Sequence, residues 1–295
     1  MTVVATHNGT FHADDCFAYA ILRAALGDGI ELVRTRDLEI LDRADVVFDV
    51  GGSCDPAEGR YDHHMRDKPL RPNGEPFSSA GLVWRDYGVR AVRALFPTVS
   101  DTEAGRVAAM LDCGLIRDVD LMDNGAMTPT PGHFSTVLEA FNPSFAEPDS
   151  DENAAFAEAA HLAGRVLSRA VARALAAVLA EETVAQAAAV TPDPRVVVLE
   201  TRVPWEDAVF DLNLTQVLYV VRPAGKQWTV SAVPPERTSF AQRHPLPAAW
   251  GGLRDDDLAR LTGVADATFC HPARFVCGAK SRDGAVALAR LAVES

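Results

Sequence analysis

A chain of 295 residues is too long for a single core of the usual size, so the sequence predicts two domains. With 48% hydrophobic and 23% charged residues, the composition excludes a chain that is disordered over a whole half. The formal net charge of -13 excludes a protein that coats duplex nucleic acid through a general basic surface, but it leaves room for a local phosphate site.

The first fifty residues alternate short apolar segments, which predict strands, with segments that predict helices. A βαβαβ order with short connections is typical of a parallel sheet covered by helices. Ligands of such sheets gather at the carboxyl ends of the strands, where this sequence has His7 and Asp49. The predicted strands are 3–6, 31–35 and 46–50, and the predicted helices are 14–25 and 38–43.

The middle of the chain predicts helices. Residues 78–95 and 101–122 each begin with a capping residue, and residues 142–152 are typical of a linker because they combine two prolines with several acids. Residues 153–189 are rich in Ala, with larger apolar residues at helical spacing. This last segment predicts one or two long helices that link the two halves.

The second half returns to strand-like patterns, which predict a smaller α+β domain. A closing helix is predicted over 282–292. The predicted strands are 196–199, 213–221, 227–233 and 269–277.

The cysteines and the hydropathy pattern indicate a compartment. The five cysteines are scattered without a CxxC pair, which argues against a disulfide framework or a thiolate zinc site. We find neither a secretory signal nor an apolar stretch long enough to span a membrane. The sequence therefore predicts a cytoplasmic protein without a membrane partner.

Histidine and aspartate residues cluster in the first half, in a mixture that suits catalytic manganese, iron, zinc or magnesium. His7, His12 and Asp14 surround a glycine turn between a strand and a helix, so they can converge on one point; the alternative is that they only cap the helix. Asp49 ends an apolar strand, where a carboxylate is costly without a cation or donor, although it can also start the following Gly-Gly turn.

Two further groups complete the cluster. His63 and His64 follow Asp62, and adjacent side chains that point in different directions can serve a metal and a phosphate; a solvated loop is the alternative. Asp120 and Asp123 are three residues apart at the end of a helix, where paired carboxylates favour a cation. An acidic solvent-facing surface is the alternative for this pair.

Five segments of the first half resemble the signatures of the melanocyte-proliferating-gene (MYG) family, a branch of the DHH phosphoesterase superfamily: THNGTFHADD, VVFDVGG, RYDHH, SSAGLVW and DLMDNG. The similarity continues to the end of the chain through RVPWEDA, SFAQRHPLP, WGGLRDDDL and FVCGAKSRDGA. It therefore covers nearly the whole chain.

The resemblance implies an α/β protein with a Rossmann-like DHH catalytic domain built on a parallel sheet, and a smaller α+β domain that closes over a phosphate ester. We accordingly assign residues 1–150 to a metal-binding catalytic domain, 151–190 to linking helices, and 191–295 to a C-terminal substrate-binding domain. Two divalent ions are implied, with manganese expected first and magnesium or zinc as alternatives.

The resemblance also implies roles for individual residues. Its first motif is modified here, since His12-Ala13-Asp14 takes the place of two aspartates separated by one position, which leaves the first ligand set open. Asp49 can bridge both metals, and the choice between Asp120 and Asp123 stays open. The implied metal ligands are His7, His12, Asp14, Asp49, His63 and Asp120 or Asp123, and the implied catalytic residues are Asp49, His63 and His64.

Substrate contacts are expected from His64 and from basic residues of the second half, because guanidinium and ammonium groups suit phosphate. Surface basic residues at a strand-turn-helix corner are the alternative. The candidates in the second half are Arg243, His271, Lys280 and Arg282.

The predicted function is hydrolysis of RNA or short oligonucleotides by a 3′-to-5′ exoribonuclease, because members of the family are described so. A second interpretation keeps the site but changes the substrate to pyrophosphate, a cyclic dinucleotide or a nucleotide monoester. A third is a noncatalytic metal-binding protein. Peptide hydrolysis has the least support, because HExxH and serine-elbow motifs are absent. A homodimer is left open.

Overall fold

The computed structural model describes residues 1–295, and the chain divides into two compact units, Met1–Leu175 and Ala176–Ser295. Helix α7 (Glu152–Val190) is one helix of 39 residues that contributes to both units, so the predicted linking segment contains a single helix. None of the helices is both long enough and apolar enough to cross a membrane.

The first unit contains a five-stranded sheet in the order β2-β1-β3-β5-β4. The pairs β1/β2, β1/β3 and β3/β5 are parallel, and only the short edge strand β4 runs antiparallel to its neighbour. This confirms the parallel sheet predicted from the βαβαβ order. The strands are β1 (Thr2–Thr6), β2 (Ile30–Arg34), β3 (Val46–Phe48), β4 (Cys54–Asp55) and β5 (Arg60–Tyr61).

Helices cover this sheet, and the longest of them before α7 pack against each other. Helix α1 packs against α3 and buries Phe17, Ile21 and Leu22. The helices before α7 are α1 (Ala13–Leu26), α2 (Leu38–Leu41), α3 (Ser79–Leu95), α4 (Asp101–Leu111), α5 (Arg117–Asp123) and α6 (Phe134–Glu139).

The helix predicted over 101–122 is interrupted. A π-helical segment, Asp112–Ile116, separates α4 from α5, and Gly114 has non-helical angles of φ -122° and ψ -106°. Glycine tolerates such angles at little cost, so the helix changes direction there. The bend gives α5 an orientation that a continuous helix would not have.

The second unit contains a sheet in the order β6-β7-β8-β10-β9, in which only β6/β7 is parallel. Helix α10 packs on this sheet. The strands are β6 (Val196–Val198), β7 (Tyr219–Ala224), β8 (Gln227–Ala232), β9 (Ala267–Cys270) and β10 (Val276–Ala279), and the helices are α8 (Glu206–Asp211), α9 (Asp255–Thr262) and α10 (Arg282–Val293).

Two predicted strands of the second half have the wrong limits. The strand predicted over 213–221 begins only at Tyr219, because α8 ends in a turn in which Asn213 has φ 52°. The segment predicted over 269–277 is split between β9 and β10, which are joined by a turn. The turn contains Pro272, which cannot donate to a strand ladder, and Arg274, which has φ 59°.

Candidate metal centre

The carboxyl edge of the first sheet carries the predicted cluster. His7 follows β1, Asp49 follows β3, and His63 lies two residues after β5. The first turns of α1 and α3 face the same edge, since Asp14 of α1 accepts a hydrogen bond from the backbone N–H of Ser79 at 3.3 Å. Parallel strands end side by side, and this is why residues far apart in sequence meet here.

Asp49 occupies the middle of the cluster. Its Oδ2 lies 3.1 Å from Nε2 of His7, and its Oδ1 lies 3.2 Å from Nε2 of His63. The hydroxyl of Ser79 also donates to Oδ1, at 3.0 Å. The backbone of Asp49 is left-handed, with φ 57°, a conformation that costs a non-glycine residue about 1–3 kcal/mol and that clusters at functional sites.

The two nitrogens of His7 have different partners. Nδ1 lies 3.2 Å from the carbonyl oxygen of Asn8, to which it can donate. Nε2 lies 3.1 Å from Asp49 and 3.3 Å from Asp15. When the proton is on Nδ1, the lone pair of Nε2 points at two carboxylates. Three acceptor groups then face one another, and such an arrangement requires a cation or an added proton between them.

His63 is buried beside three carboxylates. Its Nε2 lies 3.2 Å from Asp49, 3.2 Å from Asp123 and 3.7 Å from Asp14. Neither ring nitrogen is in hydrogen-bonding geometry, and one carboxylate oxygen of Asp14 and one of Asp15 are also buried without a donor. Buried polar atoms are normally satisfied, so orphaned atoms of this kind at one place fit a cation ligated by the cluster.

The ligand atoms form three groups, two of which overlap, and the atoms of each group lie within 4.8 Å of one another. Asp49 belongs to two of them. Imidazole nitrogen and carboxylate oxygen are ligands that manganese, iron and zinc accept, so the donor set fits divalent metal. The groups are His7 with Asp15 and Asp49, His63 with His64 and Asp49, and His12 with Asp14 and Asp123.

Burial and mutual repulsion shift the pKa values of the carboxyl groups. Burial raises the pKa of Asp14 well above its ordinary value, and the charges of Asp49 and Asp123 raise it further. Burial and the charge of Asp49 raise the pKa of Asp15 to about 7, although His7 opposes the shift. Burial would also raise the pKa of Asp49. The contacts with His63 and His7 outweigh burial, so the pKa of Asp49 is lowered below its ordinary value.

Burial acts in the opposite direction on the two histidines, although the net shift of their pKa values is also upward. Burial lowers the pKa of His7 and of His63, but the Asp49 carboxylate and the other acids more than compensate, so both pKa values are raised. The carboxyl groups therefore retain protons and the imidazoles take up protons. Both effects indicate that the cluster contains too little positive charge for its carboxylates. Divalent cations supply that charge.

Asp62 organises the loop that carries the two adjacent histidines. Its Oδ1 accepts hydrogen bonds from the backbone N–H groups of His63 and His64, at 2.7 and 3.0 Å, and its Oδ2 accepts one from Gly52 at 2.6 Å. It also contacts Nδ1 of His64 at 2.8 Å. Asp62 therefore holds the loops after β3 and β5 together, and the side chain of His64 stays exposed.

Asp120 has a different environment from Asp123. Its Oδ1 accepts hydrogen bonds from the hydroxyl of Ser78 at 2.5 Å and from the backbone N–H groups of Ser78 and Gly81, both at 3.0 Å. Its Oδ2 pairs with Arg71 at 2.5 Å. Asp120 thus caps helix α3, whereas Asp123 contacts His63; the structure brings Asp123 but not Asp120 into the cluster.

The sequence reasoning missed two residues of the site. Asp15 is not among the predicted ligands, although it follows Asp14 directly, because a helix normally directs neighbouring side chains to different faces. Here both lie at the helix start, where Asp15 also accepts a hydrogen bond from the backbone N–H of His12 at 3.1 Å. Arg36, just beyond β2, lines the cleft, and no motif marked it.

The cleft beside the cluster has a volume of about 660 Å³. His7, His12, Asp49 and His64 line it together with the Gly51-Gly52 turn. Arg36 is the only arginine or lysine in its wall, and it forms no ion pair. An open polar cleft with one free cation beside an acidic cluster suits a small anionic group.

The substrate-binding candidates of the second unit have varied partners. Arg243 donates through Nη1 to the carbonyl oxygens of Leu214, Thr215 and Val217, at 2.8, 3.2 and 3.0 Å, so its guanidinium supports the backbone. The other three are near the β9–β10 turn and the start of α10.

Arg282 and His271 have local partners. Arg282 pairs with Glu200 at 2.8 Å, and His271 accepts a hydrogen bond from the N–H of Ala273 and packs on Phe275. Lys280 is exposed, and its ammonium group has no partner. Lys280 is therefore the candidate whose charge is most available.

The parallel sheet and the cluster of imidazoles and carboxylates at its carboxyl edge define an α/β protein with a candidate metal centre. A family model called MYG1_exonuc, described as an uncharacterised protein family (UPF0160), matches residues 3–293. The chain belongs to this MYG1 exonuclease family. The prediction of an exonuclease-type hydrolase is therefore confirmed at the level of the family.

Curated relatives cover almost the whole chain. The MYG1 exonuclease of Homo sapiens is 33% identical over 321 residues, which is 97% of this chain and 84% of that protein. MYG1 protein C27H6.8 of Caenorhabditis elegans is 31% identical over 99% of this chain and 95% of its own length.

Among solved structures, RecJ from Thermus thermophilus in complex with Mn²⁺ matches with a TM-score of 0.31 and 18% identity. The match covers 99% of this chain and 52% of RecJ, so the chain spans about half the length of that protein.

Proposed function

We propose that this protein is a metal-dependent 3′-to-5′ exoribonuclease of the cytoplasm, which hydrolyses RNA or short oligonucleotides with the help of two divalent cations, manganese being expected first. Membership of the MYG1 exonuclease family and the donor set of the cluster support a metal-dependent nuclease.

One observation carries the two-cation proposal. The two oxygens of Asp49 belong to different candidate groups, one beside His7 and the other beside His63. A carboxylate whose oxygens face two sets of ligands is suited to bridge a pair of cations. We therefore infer one cation held by His7, Asp15 and Asp49, and a second held by Asp49 and His63.

The remaining donors complete this ligand set. Asp14 and Asp123 lie beside His63, and His12 is exposed next to them. Divalent cations bound here would lower the pKa of a water and polarise the phosphoryl group. The chain itself supplies buried ligands whose positions are fixed, and it provides no Ser or Cys nucleophile with an adjacent base in the cleft.

Substrate contacts come from residues that the cluster leaves free. His64 uses Nδ1 to contact Asp62, which leaves Nε2 available to a phosphate oxygen. Arg36 is unpaired in the same cleft and can donate two hydrogen bonds to a phosphate. The cleft volume of about 660 Å³ lies in the range of small-molecule sites, which suits the terminal nucleotide of a strand better than a duplex.

The test is manganese-dependent hydrolysis of a short RNA labelled at its 5′ end. We expect a ladder of labelled products that shorten one nucleotide at a time, and loss of all products when Asp49→Asn or His63→Gln is introduced. The matched control is Asp101→Asn, which removes an exposed carboxylate that pairs with Arg93 in the same unit. The control should degrade RNA like the unaltered protein.

Other outcomes separate the alternatives. Bound manganese with hydrolysis of pyrophosphate or a cyclic dinucleotide but not of RNA would replace the exoribonuclease with a small-phosphoester hydrolase. Tightly retained metal without turnover of any phosphoester would indicate a noncatalytic role. A ladder that appears only with the label at the 3′ end would reverse the proposed direction.

A further inference from the structure

The middle of helix α7 is basic although the protein is acidic. Residues 159–180 include three arginines and one histidine and no Asp or Glu, in a chain whose net charge is -13. Arg165, Arg169 and Arg173 are all exposed, and none of their side chains makes a hydrogen bond or an ion pair. Elsewhere in the chain many arginines are paired with acids, so three unpaired arginines in succession form a distinct feature.

The three arginines lie on one side of the helix. A spacing of four residues places successive side chains on the same face, about 6 Å apart along the axis. Ala163, Leu167 and Val171 alternate with the arginines along the helix and are buried. The helix face that carries the arginines therefore points to solvent. We call Arg165, Arg169 and Arg173 the arginine stripe; it extends over about 12 Å of helix.

We propose that the arginine stripe binds the sugar-phosphate backbone of a single-stranded RNA whose 3′ end occupies the metal cleft. The inference rests on the proposed function and adds a second contact region to it. A rigid row of guanidinium groups at regular spacing complements a strand with regularly spaced phosphates, and guanidinium binds phosphate in a bidentate manner. Such contacts carry no base preference.

The beginning of the same helix is joined to the cleft. The guanidinium of Arg34 donates to the carbonyl oxygen of Gly9, a cleft residue, at 2.6 Å. The same guanidinium lies over the ring of Phe156 in α7, 4.6 Å from its centroid. Arg165 follows nine residues later, about 14 Å along the helix. A strand must therefore extend several nucleotides beyond the cleft before it reaches the stripe.

Other charged groups near the stripe are few. Glu158 and His161 precede it on the helix, and both are exposed. Arg23 of α1 lines a groove with His161 and Arg165, but it is paired with Asp28 at 2.9 Å. Ala163, Leu167 and Val171 are buried in the first unit, so no apolar face accompanies the arginine stripe that could enter a lipid surface. A polyanion that contacts only the guanidinium groups is the favoured ligand.

The experiment measures the affinity for fluorescently labelled single-stranded RNA in EDTA, where hydrolysis does not interfere. The full chain is compared with Arg165→Gln/Arg169→Gln/Arg173→Gln. The control, Arg43→Gln/Arg90→Gln/Lys226→Gln, removes the same charge from exposed, unpaired positions. Each protein is titrated with a twenty-nucleotide strand and with a tetranucleotide at several salt concentrations, and its folding is checked by thermal unfolding.

We expect the stripe variant to bind the twenty-nucleotide strand at least about tenfold more weakly. Its slope of log K against log[salt] should be shallower by about 2, because each of the three phosphate contacts of a single strand contributes about 0.7. Its affinity for the tetranucleotide should fall much less. An affinity and a slope equal to those of the control would overturn the stripe while leaving the exoribonuclease intact. If the unaltered protein neither binds nor hydrolyses RNA, the proposed function fails as well.

Discussion

Gly81 lies against the carboxylate of Asp120, so closely that a Cβ at Gly81 would overlap Oδ2 and lie 2.8 Å from Cγ. The carboxylate cannot move aside easily, because Ser78, Gly81 and Arg71 all hold it. The start of α3 and the end of α5 can therefore approach only when residue 81 has no side chain.

We expect Gly81→Ala to lower the free energy of unfolding by about 1–3 kcal/mol, the usual cost of overpacking. Urea denaturation followed by circular dichroism measures it. The control is Gly105→Ala in α4, where an added Cβ meets no atom within 4 Å; it should stabilise the protein by about 0.5–1 kcal/mol. Equal stabilities of the two variants would contradict the close contact.

Asp120 and Asp123 should respond differently to the same substitution. Asp123→Asn is expected to weaken manganese binding by about tenfold or more, because it removes a candidate ligand beside His63. Asp120→Asn is expected to cost about 3 kcal/mol of stability, because it leaves Arg71 without its buried partner, while the folded protein keeps its manganese. Calorimetric metal titration and thermal unfolding of both variants distinguish the two effects. Weaker manganese binding by Asp120→Asn and lower stability of Asp123→Asn would show that Asp120 is the ligand and Asp123 the structural residue.

Arg36→Gln should raise KM for RNA with little change in stability, because the side chain lines the cleft and has no protein partner. The expected rise is about tenfold or more, since a hydrogen bond to a charged group is worth about 1.5–3 kcal/mol. Steady-state kinetics measure it, with Arg43→Gln as an exposed, unpaired control outside the cleft. Unchanged KM would remove Arg36 from the substrate site.

The metal-free protein should lose stability as the pH rises from 6 to 8. Burial and the charge of Asp49 raise the pKa of Asp15 to about 7, and the pKa values of Asp14, His7 and His63 are raised too. A pKa raised in the folded state stabilises the fold below the unfolded-state pKa, and that stability is lost as the pH rises through the folded-state value. The depressed pKa of Asp49 acts in the opposite direction, but only at more acidic pH.

Thermal unfolding in EDTA and with manganese at pH 6, 7 and 8 measures this dependence. We expect the gain in Tm from manganese to increase with pH by several degrees, since deprotonated ligands bind metal and lose their repulsion. Asp15→Asn should flatten the dependence of the metal-free protein. A manganese effect that decreases with pH would contradict the charge arrangement of the cluster.

Arg243→Gln should destabilise the protein, because one guanidinium nitrogen serves three backbone carbonyls. Loss of these partly buried hydrogen bonds from a charged donor costs about 1–3 kcal/mol. Lys226→Gln, which alters an exposed and unpaired cation, is the control. If Arg243→Gln instead raises KM at unchanged Tm, the residue binds substrate rather than supporting the backbone.

The parallel sheet of the first unit and the positions of its main candidate ligands could be predicted from the amino-acid sequence alone. The alternation of apolar and helical segments is local information, and it places His7 and Asp49 after strands that end at one edge of the sheet. The resemblance to the MYG family added the roles, and the family match over residues 3–293 confirms that resemblance.

The choice of the acid that joins the cluster required the folded structure. Asp120 and Asp123 are three residues apart on α5, so their side chains point in directions about 60° apart, and the sequence does not say which direction faces the sheet. That depends on the bend at Gly114 and on the packing of α5 against α3. Contacts between distant segments also place Asp15 and Arg36 in the site and direct the arginine stripe outward. Local sequence patterns do not encode such contacts.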